Sequence, residues 1–414
     1  MGACLQAIKE RHTITPKGSP LATPYEFRFL PSIADLDADL WNGLAKADVS
    51  HTAANTTSPF LRHEFLLALE QTGCADFDTG WQPHHLSVTR KNILVAAMPL
   101  YIKSHSYGEY VFDWSWADAY RQHGMRYYPK LVTSVPFTPS TGPRLLIAEG
   151  EDHAHITHAI AHAVIAEARR IGASTWHVLF PGQQQSDHLT KAGLRPRIAC
   201  QFHWYNRGYL TFDDFLATFN SRKRKNLRKE RDAVHNAGIQ FTRFRGNAIT
   251  PAMWQQFYRF YQNTYQIRGQ QGYLTQAFFQ RLSDVMPDNL LLVVATLDAR
   301  PIAAALSFRD SEKLYGRYWG CLEEYQFLHF ETCYYQGIEY AIEEGLQSFD
   351  SGAQGEHKIQ RGFEPIITHS NHWIADPQFD AAIGDFLERE AVHVREYRAG
   401  AEGGLPFRVG EDTQ

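Results

Sequence analysis

Apolar and polar positions predict the same order of elements twice along the chain. Each time, a helical pattern with apolar residues three or four positions apart is followed by three strand patterns, then by a second helix and a returning strand. The first set occupies 63–73, 85–89, 93–103, 109–116 and 155–180, and the second occupies 277–289, 290–296, 302–308, 313–320 and 330–352. A helix, a meander of about three strands, a helix and a returning strand together form an α/β unit. We therefore predict an α/β (α+β) fold with two tandem units, each with a central mixed sheet flanked by helices; a generic pair of α/β domains is the alternative.

The spacing between matching segments divides the chain into domains. Early matches lie about 205 residues apart and later matches about 170, which predicts an insertion of about 35 residues in the first unit. Matching Phe112-Asp113-Trp114 with Arg317-Tyr318-Trp319 is part of this alignment. The predicted division is an N-terminal tail over 1–24, a first domain over 25–205 with the insertion at about 117–151, a second domain over 206–390, and a C-terminal tail over 391–414.

Composition and charge exclude several classes of protein. The chain has 414 residues, and its 41 Lys and Arg against 45 Asp and Glu give a net charge of −4, so a globally basic nucleic-acid binder is excluded. Five cysteines without a C-x-x-C pair favour neither a disulfide framework nor a zinc ribbon. The longest apolar stretch, 93–102, is too short to cross a bilayer. We expect a soluble, unsecreted, cytoplasmic protein without a transmembrane segment.

One basic segment, 219–240, stands out from this slightly acidic background. Its spacing predicts a helix that Ser221 could cap and that ends near Gly238. Its dense positive charge suggests a phosphate-bearing partner such as tRNA, a nucleotide cofactor or an anionic lipid, whereas a solvated helix face is the alternative. No helix-turn-helix or zinc-finger spacing accompanies it, so DNA is not an expected partner. The candidate donor phosphate-binding residues are Lys223, Arg224 and Arg228.

A glycine-rich segment after the last strand of the second unit is the main candidate site. Gly352 and Gly355 would allow backbone N–H groups to approach a ligand, and Lys358 and Arg361 could stabilise an anion or a developing oxyanion. An amine acceptor must lose a proton, and a carboxylate or histidine can take it. The candidates for this base are Glu323, Glu331 and His357. A glycine-rich connection with solvated charges is the alternative.

Mixed polar and aromatic clusters near strand ends are candidate substrate-binding residues. They are Asp113, Trp116, Asp118 and Arg121 in the first unit, and Arg317, Tyr318, Trp319, Asp350 and Gln354 in the second. We expect the first group to face the acceptor pocket; a structural role is the alternative. His155, His158 and His162 have helical spacing but no carboxylate at a recognised offset, so no metal site is predicted.

Two segments carry a resemblance to a known family. The basic segment 221–240 resembles the basic helix of FemAB-type peptidyltransferases, and 349–363 resembles their closing strand and glycine-rich turn, followed by Lys and Gly-Phe. Over about 25–390 the chain is similar to FemAB-like predicted N-acyltransferases, a branch described as peptidoglycan biosynthesis or recognition proteins. This resemblance implies two tandem GNAT-like domains that move an acyl or aminoacyl group onto an amine.

The resemblance also implies roles for the substrates and for one residue. In the better-understood Fem enzymes the donor is aminoacyl-tRNA, the acceptor is a peptidoglycan precursor, and a Lys before Gly-Phe assists the reacting centre. Lys358 is the matching position, although its spacing to Gly362-Phe363 differs from the family pattern. The coiled-coil arm of several Fem enzymes is not evident, and neither is the glycine loop that would hold the pyrophosphate of acyl-CoA.

These observations predict an acyltransferase of the EC 2.3 class. Its donor is aminoacyl-tRNA or acyl-CoA, used as a co-substrate, and no tightly bound cofactor is expected. The acceptor is an amine, such as a peptidoglycan precursor or a small amine, and the oligomeric state is not predicted. The alternative is a non-catalytic protein of the same fold that recognises peptidoglycan fragments or an anionic partner.

Overall fold

A computed structural model describes residues 25–47, 58–353 and 355–408. The elements of the first half are β1 Glu26–Leu30, α1 Ala38–Ala47, α2 His63–Gln71, β2 Trp81–Pro83, β3 His85–Arg90, β4 Ile93–Met98, β5 Tyr101–Lys103, α3 Trp114–Gln122, β6 Lys130–Thr133, β7 Leu146–Ile147, α4 His153–Ile171, β8 Thr175–Leu179, α5 Gln183–Lys191 and β9 Arg195–Tyr205. Those of the second half are α6 Phe212–Ala217, α7 Ser221–Asn236, β10 Gln240–Arg245, α8 Pro251–Gln266, α9 Gln276–Val285, β11 Leu290–Leu297, β12 Arg300–Arg309, β13 Lys313–Cys321, α10 Leu328–Phe330, α11 Gln336–Glu343, β14 Ser348–Asp350, β15 Glu364–Ile374 and α12 Pro377–Gly403.

The repeated order of elements is confirmed except for one strand of the first half. The predicted helices correspond to α2, α4, α9 and the stretch from α10 to α11, which is continuous through a π-helical turn at Glu331–Tyr335. The predicted strands correspond to β3, to β4 and β5, and to β8, β11, β12, β13 and β14. Each half also has a strand and two helices before its meander, β1 with α1 and α2 in the first half, and β10 with α8 and α9 in the second. The fold is therefore the predicted mixed α/β fold with two related halves.

The strand predicted over 109–116 is wrong. Residues from Trp114 onward form α3, and Asp113 is the residue that precedes this helix. The alternating aromatic residues in this segment imitate a strand, but the strand that follows β5 in the sheet is β6. Because β6 pairs in parallel with β8 as β13 pairs with β14, β6 is the counterpart of β13. The match of Phe112-Asp113-Trp114 with Arg317-Tyr318-Trp319 is therefore wrong, and the segment 117–151 contains β6 and β7.

The two halves exchange their last strands. Among the described residues, an eleven-stranded sheet has the order β10-β11-β12-β13-β14-β9-β15-β8-β6-β5-β2, and a four-stranded sheet has the order β1-β3-β4-β7. The first half's β9 pairs with β14 of the second half, and the second half's β15 pairs with β8 of the first half. The two exchanged strands pair with each other over Arg195–His203 and Glu364–His372. One continuous sheet thus joins the halves.

A hydrophobic core shared by the two halves packs at the region where they meet. Phe60 of the first half packs against Phe308 of the second with ring centroids 5.0 Å apart, and Phe65 packs against Phe278 at 5.6 Å. All four side chains are buried in one cluster. Burial of aromatic side chains of this size stabilises the contact between the halves. The division at residue 205 stays a prediction, since β9 belongs to the first half in sequence and to the sheet of both halves in space.

Two helix ends differ in detail from the sequence pattern. The basic helix α7 starts at Ser221, but its cap is Asn220, whose side chain accepts a hydrogen bond from the Lys223 N–H at 3.0 Å. Gly238 has a φ of +79° just beyond the end of α7, as expected of a helix stop. Helix α12 runs through position 391, where the sequence places the start of a C-terminal tail, and reaches Gly403.

Candidate functional site

The carboxyl end of β14 carries a buried ion pair. Asp350 pairs with Tyr315 in the parallel β13–β14 ladder, which brings Arg317 on β13 beside it. Arg317 Nη2 donates to Asp350 Oδ2 at 2.7 Å, and the Gly352 N–H donates to Asp350 Oδ1 at 2.9 Å. Burial opposes ionisation of this carboxyl, but Arg317 outweighs it and holds the pKa of Asp350 well below its usual range. Asp350 is therefore an ionised, paired group.

Residues of the first half complete this ion pair. Ser140 Oγ donates to Asp350 Oδ2 at 3.2 Å. His203 on β9 lies opposite Asp350, with its Nε2 3.6 Å from Asp350 Oδ1. Burial lowers the pKa of His203 to about 4, so its imidazole is neutral at pH 7. The exchange of β9 is the reason that a histidine of the first half reaches the second.

Lys358 lies behind the same strand end. It belongs to a 3₁₀ turn at Glu356–Arg361 and is 1% exposed. Its Nζ donates to the carbonyls of Ser351 at 3.1 Å and Gly352 at 2.8 Å. Burial lowers the pKa of Lys358 to about 8, although Asp350 partly opposes this shift. We call the five side chains brought together here the Asp350 cluster; they are Asp350, Arg317, Lys358, His203 and Ser140.

Glycine is required in the turn between Asp350 and Lys358. Gly352 and Gly355 have φ values of +86° and +118°, which disfavour residues with a side chain. A Cβ atom at Gly355 would lie 2.6 Å from the ring of His357. The predicted substrate-binding residue Gln354 lies between these glycines and outside the described residues.

The basic helix α7 is attached to the same turn. Lys223 Nζ donates to Gln360 Oε1, and Arg361 Nη2 donates to both carboxylate oxygens of Glu230 at 2.8 and 2.7 Å. Arg361 is thus held in an ion pair with α7, and its guanidinium lies 3.4 Å from the centre of the Phe330 ring. These contacts bring the start of α7, which carries the donor phosphate-binding candidates, beside the turn that holds Lys358.

Two of those candidates differ in their surroundings. Arg224 is half-buried, whereas Arg228 is exposed and donates to Asp213 at 3.2 Å. An exposed ion pair of this kind is worth little and leaves the arginine available to another anion. The phosphate-binding residues remain a prediction.

The proposed bases lie in three different environments. Glu323 is exposed and accepts from the Tyr325 hydroxyl at 2.9 Å. Glu331 is fully buried and bound by Arg231 at 2.9 and 3.0 Å, which makes it a structural group. His357 bonds with the Tyr334 hydroxyl at 2.9 Å, and burial together with neighbouring cations lowers its pKa to about 4.

None of these three belongs to the Asp350 cluster. Sequence reasoning missed its two residues from the first half, Ser140 and His203. One signal pointed to His203: the pair His203-Trp204 recurs as His372-Trp373, 169 residues later, which is also the distance from Gly193-Leu194 to Gly362-Phe363.

The other substrate-binding candidates do not meet at one place. Tyr318 is buried against Tyr261 with ring centroids 5.7 Å apart, and Trp319 packs against His329 at 5.3 Å. Asp118 and Arg121 form an exposed pair at 3.0 Å on α3. Of the nine substrate-binding candidates, Arg317 and Asp350 are the two within the Asp350 cluster.

Asp113 belongs to a second buried cluster, in the first half. Lys130 Nζ donates to Glu109 Oε2 at 2.8 Å and to Asp113 Oδ2 at 2.5 Å. His177 lies 3.6 Å from Asp113 and bonds to His372 at 2.6 Å between the two Nδ1 atoms. Trp116 is buried against His372 with ring centroids 5.0 Å apart. We call the charged and imidazole groups the Lys130 cluster; they are Lys130, Glu109, Asp113, His177 and His372.

The repeated halves, the exchanged strands and the cationic turn after β14 define the class of protein, which is that of tandem GNAT-like folds. A family model identifies the family within this class: the FemAB-like model, described as peptidoglycan biosynthesis/recognition, matches residues 32–409. The chain belongs to this family. The description of the family relates the chain to peptidoglycan biosynthesis or recognition. No curated protein matches the chain by sequence.

Several solved structures are similar to this chain at low identity. The crystal structure of FemX has 13% identity, covering 84% of this chain and 98% of that chain, with a TM-score of 0.49. A tandem GNAT protein from the clavulanic acid biosynthesis pathway, solved without AcCoA, has 11% identity, coverage of 85% and 99%, and a TM-score of 0.46. L-PGS from Bacillus licheniformis has 10% identity, coverage of 80% and 97%, and a TM-score of 0.46.

Two features are absent from the described residues. No helix within 25–47, 58–353 and 355–408 has the length and apolar character needed to span a membrane. In the same part of the chain, no three His, Cys, Asp or Glu side chains are grouped so that they could hold a metal ion.

Proposed function

We propose that this chain transfers an acyl or aminoacyl group to an amine, with its reacting centre at the turn between Asp350 and Lys358. The observation that carries the proposal is Lys358 itself, a buried cation at the end of β14 that is bonded to two carbonyls of the glycine-containing turn. A fixed positive charge in a buried site is suited to stabilising the oxyanion that forms when an amine attacks an ester or thioester.

The reaction needs one proton acceptor and one fixed cation. The amine nitrogen forms a bond to the acyl carbon, and the carbon–oxygen bond of a tRNA ester, or the carbon–sulfur bond of a thioester, breaks. The amine loses a proton, and the leaving oxygen or sulfur takes one up. We assign oxyanion stabilisation to Lys358 and proton acceptance to His203, whose neutral imidazole lies 3.6 Å from the Asp350 carboxylate that would stabilise its protonated form.

The basic helix supports a phosphate-bearing donor. Lys223 contacts the turn through Gln360, so Arg224 and Arg228 lie on a helix that begins beside the proposed reacting centre. Aminoacyl-tRNA and acyl-CoA both carry phosphates and an activated acyl group, and both suit this arrangement. Such donors would be used in the cytoplasm, with a peptidoglycan precursor or a small amine as acceptor.

Donor consumption tests the proposal. Purified protein is incubated with charged tRNAs or with a panel of acyl-CoA thioesters, together with amine acceptors, and products are followed by mass spectrometry. We expect acyl transfer by the wild type and its loss in Lys358→Ala, with Lys313→Ala on the same half as a matched lysine control. If donors and acceptors bind equally to wild type and Lys358→Ala while no donor is consumed, the non-catalytic recognition protein is the correct function instead.

A further inference from the structure

A cavity of about 730 Å³ adjoins the proposed reacting centre. It lies between the exchanged strands β9 and β15 on one side and helix α12 on the other. Ala353, in the turn that leads from Asp350 to Lys358, forms part of its wall. Its apolar lining includes Val111, Phe180, Ile198, Phe386 and Val394. A cavity of this volume and character is suited to the apolar body of a small molecule.

One buried polar group in the cavity wall lacks a hydrogen-bond partner. Gln201 is 4% exposed, and its Nε2 donates to the Pro139 carbonyl at 3.2 Å. Its Oε1 accepts no hydrogen bond from any described residue. A buried acceptor without a partner costs free energy, and a ligand that donates an N–H would remove this cost.

Gln201 also lies close to the Asp350 cluster. Pro139, which Gln201 contacts, is followed directly by Ser140, which donates to Asp350. A ligand donating to Gln201 Oε1 would therefore present its polar end toward the reacting centre and its apolar body toward α12.

The charges around the cavity disfavour a bound cation. Arg197 is paired with Glu390 through bonds of 2.7 Å, so this carboxylate is already neutralised. Arg389 and His393 of α12 also line the cavity. An amine in such surroundings is favoured in its neutral form, which is the form that attacks an acyl group.

We infer that this cavity binds the acceptor as a neutral primary amine with an apolar body, whose N–H donates to Gln201 Oε1. This inference rests on the proposed function, since it names the class of acceptor for the same site. It makes no use of the donor, and binding of the amine can be measured without turnover.

Calorimetry with octylamine, octanol and octanoate tests the inference on the full chain. We expect the apparent affinity for octylamine to rise about tenfold from pH 8 to pH 9, because an alkylamine with a pKa near 10.4 gains about tenfold in its neutral form over this range. Octanol should bind with little dependence on pH. A constant or falling affinity for octylamine, or tighter binding of octanoate than of octylamine, would overturn the inference, and the latter would assign the cavity to the acyl chain.

The titratable groups that face the cavity do not change their charge between pH 8 and pH 9. Burial raises the pKa of Cys200 to about 11 and that of Tyr397 to about 12, and burial raises that of Tyr110 further still. The range also lies above the pH at which a histidine side chain ordinarily titrates. Lys358, behind Ala353, loses its proton near pH 8, and octanol measures the effect of that change.

Variants separate this inference from the proposed function. Gln201→Leu should weaken octylamine and octanol binding about tenfold through loss of one hydrogen bond. Ala199→Phe should fill the cavity and abolish binding, whereas Ala233→Phe on the exposed side of α7 should have no effect. Unchanged affinity in both cavity variants would overturn the inference even if acyl transfer is observed. Amine binding without donor consumption would instead contradict the proposed function alone.

Discussion

The Asp350 cluster and the Lys130 cluster occupy matching places in the two halves, but their lysines are paired differently. In each half, the exchanged strand of the other half supplies a histidine: His203 faces Asp350 across β9 and β14, and His372 faces His177 across β15 and β8. The Lys130 cluster is closed on itself, since Lys130 binds both of its carboxylates. The Asp350 cluster instead lies beside a turn that contains two glycines, and Ala353 of this turn forms part of the cavity wall.

Strand exchange alone therefore does not create a functional site. It places polar groups in the centre of a sheet, where they must be paired because unpaired buried charges are costly. Burial raises the pKa of Glu109 to about 7, whereas Lys130 and His177 outweigh the burial of Asp113 and hold its pKa below the usual range. In the second half, Lys358 is bonded to backbone carbonyls, and that cation can serve a substrate.

The largest expected effect is on stability, when the lysine of the Lys130 cluster is removed. Lys130→Met leaves Glu109 and Asp113 buried without their cation, and we expect it to lower the free energy of unfolding by about 3–5 kcal/mol in denaturant titrations. Lys103→Met is the matched control, because Lys103 lies 4.0 Å from Glu109 and burial already lowers its pKa to about 7. It should cost less than half as much. Equal costs for the two variants would contradict the view that Lys130 alone balances the cluster.

Much of the fold could be predicted from local patterns, and the errors have a physical cause. Strands such as β3 and β11 and helices such as α4 and α9 show the spacing of apolar residues that burial of one face demands. The segment 109–116 shows the same alternation, yet its residue Asp113 is fixed by Lys130, 17 residues farther along the chain. A pairing of this kind is a tertiary contact, which no local pattern records.

The site could be predicted in part for the same reason. Asp350, Arg317 and Lys358 were candidates because they lie near a strand end and a glycine-rich turn, features visible in the sequence. Ser140 and His203 reach them only through the exchange of β9 and the loop that follows β6. Arg361, predicted to act on an anion, is instead paired with Glu230, a partner 131 residues away.

The second effect concerns the rate of acyl transfer at the Asp350 cluster. Lys358→Ala should lower kcat for acyl transfer about 100-fold, the usual cost of removing one group that stabilises an oxyanion. Steady-state kinetics with the donor identified by mass spectrometry measures this effect. Lys130→Met should leave kcat per folded molecule nearly unchanged. A comparable loss of kcat in folded Lys130→Met would mean that the two clusters are not functionally distinct.

The pH dependence sharpens the same prediction. Burial lowers the pKa of Lys358 to about 8, so the charged form is complete below this pH and is lost as the pH rises through it. If the charge stabilises the oxyanion, kcat should fall above about pH 8. Lys358→Arg should retain part of the activity and show no fall up to pH 10, since arginine remains protonated. A fall at the same pH in this variant would assign it to another group.

The smallest expected effect is on donor binding at α7, a basic helix that has no counterpart among the described residues of the first half. Arg224→Glu combined with Arg228→Glu should weaken binding of a phosphate-bearing donor about tenfold and flatten its dependence on salt, because fewer counterions are released. Arg224→Glu should contribute more, since Arg224 is half-buried and its charge is screened less by solvent than that of the exposed Arg228. Arg398→Glu, a charge reversal on exposed α12, is the control. Unchanged affinity and salt dependence in the α7 variants would mean that the basic helix is a solvated face.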